Sequence, residues 1–152
     1  MKYVVSTLFI LICFSCANDK KSEQIDYTIQ NEQDITAYIA ENNLTAQKST
    51  TGLYYVINNP GAGEQPSASS NVTVAYKGYY LDGTVFDQSD AQGISFSLQN
   101  VIKGWTEGIT YFKEGGNGIL LVPSHLGYGS TDTRSIPGGS VLIFDVSLIS
   151  VN

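Results

Sequence analysis

Hydrophobic and polar residues alternate in several segments after residue 50, which is the pattern of strands with one buried face. In residues 71–81, Val72, Val74 and Tyr76 share one face, and small or polar residues separate them. Shorter apolar runs that end at Asn, Gly or Pro predict additional strands. The strands predicted in this way cover residues 53–57, 71–81, 84–87, 94–98, 119–122 and 141–151.

Two other segments have helical spacing. Residues 102–112 place Trp105, Ile109 and Phe112 about one turn apart, which predicts a single helix within the strand-rich region. Residues 31–43 predict a weaker amphipathic helix, which packs either on the same domain or on a second copy of the chain. Several strands with one internal helix predict an α+β domain, with an antiparallel sheet folded over that helix.

The first residues have the pattern of a secretory signal peptide. Lys2 supplies a positive charge, residues 3–14 form a short apolar run, and the small residue Ser15 precedes Cys16. The run is shorter than the roughly 20 apolar residues that span a bilayer, and the chain that follows is polar. We therefore expect a signal peptide at 1–15, a tether with a short helix at 16–48, and a folded domain at 49–152.

Cys16 permits a more specific interpretation of this leader. The order of an apolar run, Ser15, Cys16 and the polar residues 17–21 resembles a bacterial lipobox, whose cysteine becomes the lipidated first residue of the mature chain. Cys13 and Phe14 depart from the usual lipobox, so an ordinary signal peptide with an incidental cysteine is the alternative. The resemblance implies an exported lipoprotein, anchored in a membrane and facing the periplasm or the cell surface.

Charge and cysteine content exclude several other classes of protein. The net charge is −6, and it becomes −7 when the single positive charge of Lys2 leaves with the leader. The eight Lys and Arg residues are scattered, which argues against nucleic acid as a partner, since phosphate contacts need clustered basic residues. Both cysteines lie within the first 16 residues, so none is left for a disulfide or a metal site in the domain.

The polar residues offer little for nucleophilic or metal chemistry. His125 is the only histidine, so a site with several histidine ligands is excluded, and the sequence predicts no metal site in the domain. Ser124 precedes it, but neighbours in sequence do not thereby form a catalytic pair, and a solvated loop histidine is the simpler interpretation. Asp82, Asp87 and Asp90 lack the spacing of a calcium loop.

Four blocks of sequence resemble, in order, the FKBP-type peptidyl-prolyl cis/trans isomerases. The first joins residues 72–78 (VTVAYKG) to residues 82–87 (DGTVFD), and together the blocks cover about residues 51–152. The resemblance implies an FKBP-like antiparallel sheet wrapped around one short helix. The remaining blocks are residues 101–105 (VIKGW), 126–129 (LGYG), and Ile136-Pro137 followed by residues 142–146 (LIFDV).

The same resemblance implies a proline-binding pocket at the matching positions. Trp105 would be its floor, Asp87 and Tyr128 its polar rim, and the Ile102 amide would bind a substrate carbonyl. Catalysis is thus expected from Asp87, Trp105 and Tyr128, and substrate binding from Tyr76, Phe86, Val101, Ile102, Ile136 and Phe144. For an isolated aromatic residue, a purely structural place in the core is the alternative.

Three features depart from the family pattern. Ile94 stands where an aromatic wall residue is common, Gln99 replaces a frequent glycine, and residues 129–135 form a short polar version of a rim loop. These departures bear on substrate preference more than on activity.

The implied reaction is rotation about X-Pro bonds, which makes and breaks no covalent bond and so requires no cofactor. Its barrier of about 18–20 kcal/mol comes from amide resonance, and an apolar pocket favours the twisted, less charge-separated state. The resemblance implies exported proline-containing polypeptides as partners and binding of the family's macrolide inhibitors. The alternative is a chaperone or assembly factor that uses the same fold as a binding module without catalysis.

Overall fold

A computed structural model describes residues 25–133 and 135–152. The predicted signal peptide, Cys16 and the first part of the tether lie outside these residues. The helices of the described chain are α1 (Thr28–Glu41) and α2 (Lys103–Gly108). Its strands are β1 (Gln47–Lys48), β2 (Tyr54–Asn59), β3 (Asn71–Tyr79), β4 (Val85–Gln88), β5 (Ile94–Ser97), β6 (Asn117–Val122) and β7 (Leu142–Val151).

The strands form one antiparallel sheet in the order β1-β2-β6-β7-β3-β4, and β5 also pairs with β3. The last strand, β7, therefore lies at the centre of the sheet between β6 and β3. Phe144 of β7 is opposite Leu120 on one side and Gly78 on the other. The predicted α+β class is confirmed, and each segment predicted to be a strand contributes to the sheet.

The main core lies between the inner face of the sheet and α2. Trp105, Ile109 and Phe112 are all buried there, as their helical spacing predicts. The α-helix itself ends at Gly108, and a 3-10 turn at Ile109–Tyr111 continues the predicted helical segment. The sheet residues buried in the same cluster include Val72, Val74, Leu120, Val122, Leu142, Phe144, Val146 and Leu148.

The outer face of the sheet is covered by α1. Ile35 is 1% exposed and packs in a second cluster with Tyr54, Leu121 and Ile143. Of the two packing arrangements open from the sequence, the structure shows the one on the same domain. The helix begins at Thr28 rather than at residue 31, so the N-terminal helix is longer than its hydrophobic spacing indicates.

Polar contacts fix α1 further. Glu32 accepts hydrogen bonds from Lys48 at 2.6 Å and from the Tyr54 hydroxyl at 2.5 Å, which joins the helix to β1 and β2. No helix in the described part of the chain is both long and apolar enough to cross a membrane.

A long irregular segment, residues 123–141, connects β6 to β7. It starts with a 3-10 turn at Ser124–Leu126 and carries Tyr128 and Ile136. The Gly139 amide donates to the Gly129 carbonyl at 2.9 Å, which brings the two ends of the loop between them together.

Candidate active site

A cavity of about 460 Å³ lies between the inner face of the sheet and the first turn of α2. Every site residue expected from the sequence lines it except Ile136. Its lining consists of Tyr76, Phe86, Asp87, Ile94, Phe96, Asn100, Val101, Ile102, Trp105, Tyr128 and Phe144. Residues from β3, β4, β5, β7 and α2 thus converge on one mostly apolar site, which is the usual form of a small-ligand pocket.

Trp105 forms the floor of this cavity, in the first turn of α2. Its ring packs edge to face on Tyr76, with centroids 4.9 Å apart, and on Phe144 at 5.2 Å. Phe96 lies on a further side at 5.4 Å. Trp105 is only 5% exposed, so it is a core residue and a pocket residue at once. Its indole N–H has no hydrogen-bond acceptor among the described residues.

Phe86 and Phe144 form an aromatic wall above this floor. Their rings are perpendicular, with centroids 5.6 Å apart. Gly78 lies directly behind the pair: a Cβ at this position would approach Phe86 Cζ to 2.7 Å and Phe144 Cε1 to 2.9 Å. The two rings meet in this geometry because residue 78 has no side chain.

The rim is polar. The Tyr76 hydroxyl donates a hydrogen bond to Asp87 Oδ2, and Tyr128, which is 48% exposed, also lines the cavity. Burial raises the pKa of the Tyr76 phenol, and the neighbouring Asp87 carboxylate raises it further. Tyr76 therefore remains protonated at neutral pH and holds the carboxylate in place at the mouth of the pocket.

Val101 and Ile102 flank the opening on the α2 side. Ile102 is extended, with φ −60° and ψ 149°, and it immediately precedes the helix. Its carbonyl accepts from the amides of Trp105 and Thr106, whereas its own amide donates to no described residue. A backbone donor is thus available beside an apolar floor.

Ile136 lies beside this pocket and not in it. It is 6% exposed and lines a neighbouring cavity of about 560 Å³, which shares Phe86, Asp87 and Tyr128 with the first. The Tyr80 hydroxyl donates to the Ser135 carbonyl at 2.8 Å, which ties the loop of Ile136 to the sheet. Ile136, which the resemblance places in the pocket, therefore lines the neighbouring cavity instead.

Three lining residues were not among the expected binding residues. Phe96 alternates with serines in β5, so the sequence pattern alone indicates that it faces the same side as Ile94. Ile94, which departs from the family pattern, lies at the mouth of the cavity and is 48% exposed. Asn100 belongs to a 3-10 turn at Leu98–Asn100, where no periodic pattern indicates direction.

The other polar candidates lie elsewhere. His125 is exposed, and its Nε2 is 2.9 Å from the Thr51 carbonyl oxygen. Ser124 is buried, and its backbone amide donates to the Asn31 side chain. Residues 25–133 and 135–152 contain no cluster of three or more His, Cys, Asp or Glu side chains suited to a metal ion.

Comparison with known proteins places this chain in a family. The model of the FKBP-type peptidyl-prolyl cis-trans isomerases matches residues 62–149. The FKBP-type peptidyl-prolyl cis-trans isomerase FkpA of Escherichia coli strain K12 is 46% identical over 105 residues, which are 68% of this chain and 39% of that protein. FkpA of Aeromonas hydrophila is 39% identical over 127 residues, covering 81% of this chain and 47% of that protein.

Solved structures show the same likeness. The crystal structure of Escherichia coli FkpA matches with a TM-score of 0.74 and 38% identity, over 82% of this chain and 61% of that one. A peptidyl-prolyl cis-trans isomerase from Pseudomonas syringae pv. tomato matches with a TM-score of 0.71 and 30% identity, over 82% and 96%. The chain spans less than half the length of the two FkpA sequences named above. It belongs to the FKBP-type peptidyl-prolyl cis-trans isomerase family.

Proposed function

We propose that this protein is a peptidyl-prolyl cis/trans isomerase whose active site is the cavity above Trp105. The observation that carries the proposal is the convergence of Tyr76, Phe86, Trp105 and Phe144 on a single apolar pocket with a polar rim. The pyrrolidine ring of a proline fits such a pocket, since it is a compact apolar ring without an N–H.

The pocket supports catalysis through its environment. The planar amide is dipolar, and an apolar site disfavours it relative to the twisted state, in which resonance is lost. The Ile102 amide would donate a hydrogen bond to a substrate carbonyl while the X-Pro bond rotates. Asp87, held by Tyr76, would contact the peptide at the rim of the pocket. Tyr128, exposed in the lining of the same cavity, would also contact the peptide.

The proposed substrates are proline-containing segments of exported polypeptides, and macrolide inhibitors of the family are proposed to compete for the same pocket. A mainly apolar wall with one carboxylate on the rim suits a hydrophobic residue next to the proline. The exposed Ile94 at the mouth favours a second candidate, a binding module that holds unfolded chains without turnover.

An isomerisation assay separates these two functions. Cis/trans exchange of a proline-containing tetrapeptide is measured by NMR in the presence of residues 25–152, which include α1. Enhanced cis/trans exchange, abolished by a macrolide inhibitor, is the expected result. Saturable peptide binding without enhanced exchange would support the binding module and contradict the enzyme. Absence of both binding and exchange would contradict the proposed site.

We also propose that the chain is exported and anchored through a lipid on Cys16, with 1–15 as signal peptide, 16–48 as tether and helix, and 49–152 as the isomerase domain. The support is the order of charged, apolar, small and cysteine residues at the start of the sequence. An anchor there would hold the pocket close to a membrane surface across which new polypeptides emerge.

A further inference from the structure

Asn31 lies in the first turns of α1, yet it is a buried polar residue, 1% exposed. Both ends of its carboxamide are paired. Oδ1 accepts a hydrogen bond from the Ser124 amide at 2.7 Å, and Nδ2 donates to the Gly139 carbonyl at 2.8 Å. A buried amide group is costly unless its polar atoms are satisfied, so this pairing makes the position of the side chain well defined.

The two partners of Asn31 lie at the two ends of the rim. Ser124 starts the turn that leads to Tyr128, and the Gly129 amide donates back to the Ser124 carbonyl at 2.8 Å. Gly139 ends the loop that carries Ile136, and its amide donates to the Gly129 carbonyl at 2.9 Å. One side chain therefore holds the beginning and the end of the segment that carries Tyr128 and Ile136.

The helix that carries Asn31 is itself fixed to the sheet. Ile35, one turn further on, is buried against the outer face of the sheet, and Glu32 is bonded to Lys48 and Tyr54. At the start of α1, the Tyr27 ring lies against the same loop: a Cβ at Gly139 would come within 2.5 Å of it. The carboxamide is thus a fixed point to which the rim is attached.

We propose that Asn31 is a positioning residue for the isomerase pocket, through which α1 holds the segments of Tyr128 and Ile136 in the geometry that receives a peptide. The inference rests on the proposed function of the pocket. It makes α1 a part of the active unit, although none of its residues lines the cavity.

The test compares Asn31→Ala with Ile35→Ala in the full chain. Ile35 is the matched control, because it is equally buried in the same helix but donates and accepts no side-chain hydrogen bond, and its cluster consists of sheet residues and Val141 at the end of the irregular segment. Asn31→Ala is expected to raise KM for a proline peptide about tenfold, equivalent to roughly 1.4 kcal/mol, with kcat changed less than about twofold. Ile35→Ala is expected to lower thermal stability and to leave KM unchanged.

Hydrogen exchange gives a reading that does not depend on activity. The Gly129 and Gly139 amides, both bonded within the rim, are expected to exchange at least about tenfold faster in Asn31→Ala and at the wild-type rate in Ile35→Ala. Inactivity of the wild-type protein would contradict the proposed function alone, because exchange would still report whether Asn31 orders the rim.

Two results would overturn the inference: wild-type KM and exchange in Asn31→Ala, or an equal rise of KM in both variants, which would show a general effect of weakening α1. If Asn31→Ala does not fold, Asn31→Ser replaces it. That variant is neutral, but its side chain is too short to bridge the Ser124 amide and the Gly139 carbonyl, so the Gly139 amide and KM should still respond.

Discussion

The Tyr76 hydroxyl donates a hydrogen bond of 2.6 Å to Asp87 Oδ2, and this bond joins the aromatic wall of the pocket to its rim. The two residues belong to neighbouring strands, β3 and β4. Burial raises the pKa of Tyr76 above its usual value of 10.0, so the phenol stays a donor in alkaline solution as well as in the physiological range. The carboxylate is therefore held over the pocket by a residue that also contacts Trp105.

Asp87→Ala is expected to lower kcat/KM about tenfold, or roughly 1.4 kcal/mol of transition-state stabilisation, while the protein stays folded. Asp87 is exposed, so the lost hydrogen bond contributes only about 0.5–1.5 kcal/mol to stability. Isomerisation kinetics and thermal melting check both effects. Asp82→Ala, which removes an exposed turn carboxylate, is the control and should keep full activity. Equal losses in the two variants would point to overall charge and not to the rim.

Gly78→Ala is expected to disturb the aromatic wall. The new methyl would overlap Phe86 and Phe144, and forced repacking of this kind costs about 1–3 kcal/mol. Activity should fall together with the melting temperature. Gly83→Ala is the matched control: its φ of +84° carries backbone strain, but no atom lies within 4 Å of the new Cβ. A Gly78→Ala variant with wild-type activity would mean that the perpendicular arrangement of the two rings is not needed.

Trp105 is the only tryptophan in the sequence, so its fluorescence is expected to change when a proline peptide enters the pocket. Titration should give a saturable change in emission with the same affinity as calorimetry. Since the ring is 5% exposed, Trp105→Ala should lose about 3–5 kcal/mol of stability as well as binding. Trp105→Phe, which keeps an aromatic floor, is the variant for kinetics. Calorimetric binding with unchanged emission would place the peptide elsewhere.

Stability is expected to fall in alkaline solution because of half-buried tyrosines. Burial, and then the Glu107 carboxylate, raises the pKa of Tyr111 from 10.0 to about 12, and the pKa values of Tyr76 and Tyr79 are raised as well. Above about pH 10 the unfolded chain loses these protons while the folded chain keeps them, so folding stability declines. The contribution is complete below about pH 10 and is lost as the pH rises through the folded values.

Denaturant titrations from neutral pH to about pH 12 measure this decline. Tyr111→Phe should make the fall less steep, since one of the shifted groups is gone. A variant with an unchanged slope would show that Tyr111 does not titrate differently in the folded and unfolded chains.

Cys16→Ser is expected to abolish lipid attachment, because acylation requires the thiol. The protein should then accumulate as a precursor that keeps the leader or, if the leader is cleaved, as an unanchored form that leaves the detergent phase in phase partitioning. Cys13→Ser, three residues earlier, is the control and should partition like the wild type. Unchanged partitioning of Cys16→Ser would favour an ordinary signal peptide.

Much of the sheet could be predicted because alternation depends on local sequence. In β7 the pattern indicates one buried face, and Leu142, Phe144, Val146 and Leu148 are all buried. The pattern does not indicate that Ile143, on the opposite face, is also fully buried. Its burial depends on α1, which is more than 100 residues away in sequence, and alternation contains no information about such packing.

The site shows the same division. Family blocks lead to Tyr76, Phe86, Trp105 and Phe144, and these rings do converge. Asn31 was not recognised, because an asparagine in a weakly amphipathic helix predicts an exposed residue. Asn31 is buried because α1 meets two segments that are distant in sequence, one at Ser124 and the other at Gly139. The placement of Ile136 in the adjacent cavity likewise depends on the closure of its loop, which sequence spacing does not describe.

The position of β7 has a consequence for biosynthesis. Strands β1, β2 and β6 lie on one side of it and β3, β4 and β5 on the other, so the two halves of the sheet join only through residues 142–151. While a ribosome is still producing the chain, the halves have no common strand, and the long-range pairing that unites them is slow to form. The nascent polypeptide therefore cannot complete its sheet until residues 142–151 have left the ribosome.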